Sequence, residues 1–582
     1  MRWAVAAGVI AFAVYVLTLA PDVYWEDSGE LITAAYTLGI AHHTGYPLYV
    51  MTGKLFSLIP AGSIAYRLNL MSAFFAAGTV ALIYLCARRI MERDYALLAA
   101  LAFAFSRTFW GQATFAEVYT LNSFLMILAV YLLFTLKSRL YLVALTVGLG
   151  AANHVMILLI IPGIAYYMIA KGKAARPWML ILFFILGLLP YIYLPLRSAQ
   201  NPVLDWGNPE TPGGFIRLVG ARDIHGVVIS RNIGQNLSTF ITMAMTEFSV
   251  FSAFILLSVA GRKRRELVFL WINMIVYSVA FVVSGVGGPA YIMPATAMAA
   301  ILLAAGTGRL ISFFSSRIIR LSAVVLVILV ISGSNYRISD KQGLYYPRTY
   351  AENILSQLPE NAIIITNGDY DTPLLWYLQH VEGKRRDVSI IDRILLTKPW
   401  YVDQIEINAS KSRLLKDEYT NTSEARLAMT DMIAGIITAN PKRDVYLTYG
   451  EDIGIPYRPI GHVLSKSGSG FTDLTDSYKT AFDAELDPMS RKMLSRIFIF
   501  HGIFYFGEGS YSKAEEKFLR ATWIDPQNAM AFENLGGAYY MAESYLNAEK
   551  AWARAAELDP ENQKTRQNLA GLRIILAQKR LN

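Results

Sequence analysis

The sequence predicts an α-helical polytopic membrane protein that continues into a soluble α/β domain and a helical repeat module. Three observations predict it. Apolar runs of membrane-crossing length recur through residues 1–334, short β-type runs alternate with helical patterns over 335–497, and a 34-residue period governs 498–582. Of 582 residues, 54% are hydrophobic and only 17% charged. The mean hydropathy is +0.37. Much of the surface must therefore face lipid.

The apolar segments lie at about 3–20, 69–87, 95–109, 117–136, 140–170, 178–196, 237–260, 267–284, 289–308 and 321–334. At about 1.5 Å rise per residue, most can cross a hydrocarbon core of roughly 30 Å. The stretch 140–170 reads as two short helices meeting at Asn153-His154, which gives about eleven spans. Loop charges support that count. Arg88-Arg89 with Arg93, Lys137 with Arg139, Lys171 with Lys173 and Arg176, Arg262–Arg265, and Arg309 with Arg317 and Arg320 then share one side. The positive-inside rule makes that side cytoplasmic. A single span over 140–170 would put several of these clusters outside. The outer side receives residues 21–66, 110–116, 197–236 and everything after about 335. Thr18-Leu-Ala20 is a passable cleavage site, but Arg2 alone makes a weak n-region. The run is also longer than a signal h-region of about 7–15 residues, so 1–20 reads as a retained helix.

The net charge of +9 follows from those loop residues and is no nucleic-acid footprint. One cysteine, Cys86, excludes an internal disulfide and any zinc site built on paired cysteines. The seven histidines show no HExxH or comparable metal spacing.

In the soluble part, Asn361–Thr366, Asp387–Ile391 and Asp444–Thr448 read as buried strands, alternating with helical patterns such as Thr372 to Val381. From about 498, Gly502, Tyr511, Ala514, Asp525-Pro526, Asn534 and Leu535 recur 34 residues later as Gly536, Tyr545, Ala548, Asp559-Pro560, Asn568 and Leu569. That is the tetratricopeptide period, in two repeats plus a closing helix at 561–580. The boundaries read from sequence are thus 1–334, 335–497 and 498–582.

Polar residues at membrane edges carry the candidate chemistry, because their desolvation is costly. Trp25-Glu-Asp-Ser-Gly-Glu30 puts Glu26, Asp27 and Glu30 just beyond the first span. Asp27 and Glu30 fit a capping box at a helix start, and equally a general base for an incoming hydroxyl. His42 and His43 precede Thr44-Gly-Tyr46-Pro47, either a turn with exposed histidines or a contact to phosphate or sugar. Glu117 re-enters the membrane after the second outer loop, as a helix-start carboxylate or as a group that orients an acceptor together with Glu26 and Tyr46. Oxygen ligands there are compatible with a divalent cation, but no spacing demands a metal. His154, at an apolar apex, serves either a helix break or a cavity. Arg197 ends a span on the outer side, by snorkelling or as a clamp on a donor phosphate, with Arg217, Arg222 and His225 able to assist.

Taken in order, several motifs resemble one membrane family, long catalogued as a transmembrane domain of unknown function. They are Asp27-Ser-Gly-Glu30, His42-His-Thr-Gly-Tyr-Pro-Leu48, Asn69-Leu-Met-Ser72, Ala116-Glu-Val-Tyr119, Gly150-Ala-Ala-Asn-His154 and Tyr193-Leu-Pro-Leu-Arg197. Asn201-Pro, Asp205-Trp-Gly-Asn-Pro209 and Asn367-Gly-Asp-Tyr-Asp371 continue the series, so the likeness covers roughly residues 1–400. The family's animal members, of the transmembrane protein 260 type, are protein O-mannosyltransferases. Thr44 departs from the pattern, which has proline there. The resemblance implies the GT-C fold and a polyprenyl-phosphate sugar as co-substrate, used on the outer face. It makes Asp27 with Glu30 the catalytic element. The implied reaction is an inverting transfer to a Ser or Thr hydroxyl of an acceptor protein, with His42, His43, His154, Arg197 and Arg222 on the donor side. The repeats are expected to engage the acceptor, and the setting to be a bacterial inner membrane with the C-terminal domains extracytoplasmic. Two rival readings are a transferase onto a cell-wall glycan or lipid and a non-enzymatic transporter or scaffold for lipid-linked sugars.

Overall fold

The computed structural model describes residues 1–136, 139–172, 176–221, 232–260, 264–284, 288–314, 316–405, 422–448, 458–465, 471–482 and 486–581. The chain divides into two compact units: Met1–Tyr345 with His380–Glu382, and the remainder from Tyr346.

The first unit is helical. It opens with α1 (Arg2–Leu17), α2 (Ser28–Thr37), α3 (Pro47–Ser57), α4 (Ile64–Ala87) and α5 (Arg93–Ala104). Among the described residues, four helices are long and apolar enough to cross a bilayer: Ile64–Ala87, Arg264–Ser284, Pro289–Ile311 and Arg317–Ser339. The bent pairs Pro177–Gly187 with Leu189–Ser198 (43°) and Ile233–Glu247 with Ser249–Val259 (97°) raise this to six if each is one span. Shorter apolar helices include Arg2–Leu17, Tyr119–Thr135, Tyr141–Ala151 and Val155–Ala170. The last two meet at Asn153-His154, so the chain does break there.

Burial separates centre from periphery. Of the apolar core of Pro289–Ile311, 89% is buried, against 22% for Arg317–Ser339. Residues 293–311 are rich in alanine and glycine, and small side chains let neighbouring backbones approach. The same device operates at Gly148, where an added Cβ would lie 2.3 Å from the Phe184 carbonyl oxygen. Helices Tyr141–Ala151 and Pro177–Gly187 therefore cross backbone to backbone.

Asn69, fully buried in α4, clips together the loop after α1 and the loop before helix Tyr119–Thr135. Its amide donates to the carbonyls of Ala20 (2.9 Å) and Asp22 (3.0 Å), and its oxygen accepts from Ala116 N (2.8 Å). The loop after Arg197 folds back as well, with Ile40 N donating to Leu204 O at 2.7 Å.

The second unit holds a five-stranded sheet of order β2-β1-β3-β5-β4. β1 (Ile363–Thr366) pairs in parallel with β2 (Ser389–Asp392) and β3 (Val445–Leu447). β5 (Leu464–Ser465) runs antiparallel to β3 and to β4 (Arg458–Pro459). Helices Pro488–Gly507, Tyr511–Ile524, Ala529–Met541, Tyr545–Leu558 and Gln563–Leu581 follow. The 34-residue period has a packing cause: a Cβ on Gly502 would lie 2.4 Å from the Phe518 ring, and one on Gly536 would lie 2.4 Å from Trp552. Sheet and repeats share one core, since His462 Nε2 lies 2.8 Å from Tyr478 Oη and the His462 and His501 rings are 5.0 Å apart.

Candidate active site

Tight packing of the loop between α1 and α2 begins with Trp25, which is 1% exposed and pins the entry to α2. Glu26 stays exposed, with φ at +59°. Asp27 occupies the N-cap position, yet its side chain makes no cap hydrogen bond. Glu30 does not close a capping box either. Its Oε1 accepts from the backbone N of His42 at 2.6 Å, and its Oε2 lies 3.1 Å from His42 Nδ1. Capping therefore does not account for the two acids.

His42 is the hub. Its Nε2 lies 3.1 Å from Tyr46 Oη and 3.7 Å from Asp27 Oδ2. Burial by itself would lower its pKa, but the carboxylates of Glu30 and Asp27 and the hydrogen bond to Glu30 push it up to about 10. His42 is thus an imidazolium at neutral pH. Burial raises the Asp27 pKa, His42 opposes that shift, and Glu30 adds to it. The Asp27 side chain keeps 35% of its surface, whereas Glu30 keeps 5%. Asp27 is the reachable carboxylate and Glu30 the supporting one.

Glu117 is buried, accepts from Val118 N at 3.1 Å, and adds its field to His42. Its own N–H donates to Ser72 Oγ at 3.3 Å, and Asn153 Nδ2 donates to Val118 O at 3.0 Å. The motifs at 69–72 and 150–154 thereby fix Glu117 at the entry to helix Tyr119–Thr135.

Tyr46 stacks on His154, with centroids 5.8 Å apart and planes 8° apart. Tyr119 and Tyr291 complete an aromatic cluster around His154, at 5.5 and 5.9 Å. Trp206 packs edge-on against both His42 and His43, at 6.0 Å each. Sequence reasoning missed Tyr119, Tyr291 and Trp206 as site residues. Trp206 and Tyr119 lay within recognised motifs, but Tyr291 carried no local signal.

Arg197 sits elsewhere. Its Nε donates to Leu38 O at 2.5 Å and its Nη2 to Thr37 O at 3.2 Å, at the carboxyl end of α2. Ten helical residues put that end about 15 Å from Asp27. These contacts make Arg197 a cap on the carboxyl end of α2. Arg222 lies outside the described residues, as does His225.

Asp27, Glu30 and His42 each offer one ligand atom, all within 4.8 Å of one another. Two carboxylates and an imidazole suit a divalent cation once His42 has lost its proton.

Fold and site define a polytopic helical membrane protein with an acid–histidine cluster built on the start of α2 and the loop that follows it. The model of the Protein O-mannosyl-transferase TMEM260 N-terminal domain matches residues 27–176, and that of TMEM260-associated domain 2 matches residues 347–450. The chain belongs to the TMEM260 family. It is 30% identical over 454 residues to mouse Protein O-mannosyl-transferase TMEM260, covering 70% of this chain and 64% of that one. To the Dictyostelium discoideum protein of the same name it is 25% identical over 468 residues, 67% of this chain and 56% of that one. The chain thus spans less than two thirds of the length of these relatives. More distant likenesses are ArnT from Cupriavidus metallidurans, solved with undecaprenyl phosphate (15% identity, 69% of this chain and 91% of that one, TM-score 0.47), and the Archaeoglobus fulgidus oligosaccharyltransferase (12%, 77% and 69%, TM-score 0.45).

Proposed function

We propose that this protein is a GT-C membrane glycosyltransferase that moves mannose from a polyprenyl-phosphate donor to a Ser or Thr hydroxyl of an acceptor protein on the outer face. The observation that carries the reading is the Asp27–His42–Glu30 arrangement, which leaves one partly exposed carboxylate 3.7 Å from a histidine anchored by a second, buried one. The family match supports the reaction class, and the names of the relatives supply the sugar.

In this mechanism Asp27 accepts the hydroxyl proton as that oxygen attacks the anomeric carbon. The bond from that carbon to the phosphate oxygen breaks, and polyprenyl phosphate leaves with the electron pair. One displacement inverts the configuration. Glu30 holds the His42 imidazolium in place, and that charge keeps Asp27 ionised in its poorly hydrated setting. Tyr46 and Glu117 orient the acceptor side, with Glu26 at the exposed rim, and His43 and His154 face the donor. About eleven spans carry the site, and the extracytoplasmic tetratricopeptide repeats present the acceptor.

The test is Asp27→Asn in full-length protein supplied with polyprenyl-phosphate mannose and acceptor. A general base is worth about 10²- to 10⁴-fold, so transfer should fall by that factor while donor binding persists. Undiminished transfer by a correctly inserted variant would remove Asp27 as the base.

A further inference from the structure

At the other end of the first unit, Arg88 and Arg93 from the α4–α5 connection meet Arg317 and Arg320 from the start of helix Arg317–Ser339. Together they line a cavity of about 410 Å³. The positive-inside rule accounts for arginines in both loops. It does not account for their convergence on one concavity.

The four arginines differ in engagement. Arg88 donates to Met91 O at 2.7 Å, and Arg93 donates to Asp94 Oδ1 at 2.9 Å while lying over the Trp3 ring. Among the described residues, neither Arg317 nor Arg320 makes a side-chain hydrogen bond or ion pair. Glu92 is the one other acid in the lining, so positive charge is in excess. Arg317 is the first residue of a 23-residue helix, and the N-cap Ser316 contributes no side-chain cap, which leaves N–H donors open toward an anion.

Depth and surroundings point to lipid. Nineteen residues of α4 separate Asn69, at the outer loops, from Arg88, which is about 28 Å of helix. That matches a hydrocarbon core of roughly 30 Å, so the acids and the arginines occupy opposite membrane faces. Leu321 and Val324 give the cavity an apolar part to its lining. Phe313, Ile318 and Ile319 beside it are exposed, an apolar surface along which acyl chains can lie.

We propose that this pocket binds the phosphate of an anionic glycerophospholipid in the leaflet opposite Asp27, with Arg317 and Arg320 as its principal ligands. Basic pockets at helix ends on the cytoplasmic side suit such head groups, and guanidinium forks match phosphate oxygens.

The experiment is native mass spectrometry of the purified full-length protein titrated with phosphatidylglycerol, for wild type, Arg317→Gln/Arg320→Gln and Arg176→Gln. Both changed arginines of the pocket lie at the bundle surface, and Arg176 is an inner-loop arginine outside the cavity. Affinity should fall about thirtyfold in the double variant and stay unchanged in Arg176→Gln, and inorganic phosphate should not displace the lipid. Full retention of phosphatidylglycerol by the double variant would overturn the site. Equal loss in Arg176→Gln would replace it with diffuse loop charge. Displacement by inorganic phosphate would make it a site for free anions and overturn the lipid assignment.

Discussion

His42 shows how one residue's surroundings set the chemistry of another. Its charge depends on Glu30, whose carboxylate meets both its backbone N–H and Nδ1. With a pKa near 10 against an ordinary 6.5, the bound proton stabilises the fold fully below pH 6.5, and that contribution is lost as pH rises toward 10. Glu30→Gln should bring the His42 pKa down, so the alkaline fall in transfer rate moves toward neutrality. A pH–rate profile unchanged from wild type would show that Glu30 does not hold the proton. The raised pKa of Asp27 places the acid limb of the same profile above the ordinary carboxylate range, and Asp27→Glu should shift that limb without abolishing it.

Among the elements, α2 carries the proposed base at its start, and its far end is held by residues distant in sequence. Arg197 caps it at Leu38 and Thr37, and Tyr193 Oη donates to Gly39 O at 3.0 Å. Arg197→Ala leaves part-buried carbonyls without a donor, at a cost of about 1–3 kcal/mol. Thermal unfolding should come earlier and kcat should fall as Asp27 loses its fixed position, with donor KM little changed. A rise in donor KM alone would return Arg197 to the phosphate. Helix crossing gives a second check. Gly148→Ala pushes a methyl into the Phe184 carbonyl at 2.3 Å, whereas Gly333→Ala meets nothing within 4 Å. The first should lower the melting temperature clearly and the second should not, and equal effects would refute the close crossing.

Across the whole molecule, the second unit has a polar core of its own. His462 and His501 are buried side by side, and burial holds His462 well below 6.5 and His501 at about 4. The neutral rings contribute stability that is complete above pH 6.5 and is lost as pH falls toward 4, because the unfolded chain then binds the protons. Asp473, Lys517 and Tyr478 face this pair. Unfolding of the second unit should therefore occur at a lower temperature at pH 5 than at pH 7. His501→Phe should flatten that dependence, and a dependence left intact would place the titrating groups elsewhere.

Patterns local in the chain were legible in the sequence: the apolar runs, the helix break at Asn153-His154, strands β1 to β3 and the 34-residue period. So was the concentration of costly groups after the first apolar run, where Asp27, Glu30 and His42 fall within 16 consecutive positions. Periodicity and desolvation act on neighbouring residues, and a sequence displays neighbours directly. Tertiary packing decided the rest. Asp27 and Glu30 were equally compatible with a capping box, and only the approach of His42 settled where the carboxylates point. Arg197 became a cap for α2, Tyr291 joined the aromatics around His154, and four arginines from two separate stretches of chain came to share one cavity. Each of these depends on helices distant in sequence packing side by side, and that choice of neighbours is made by the shapes of buried surfaces, which no stretch of sequence carries by itself.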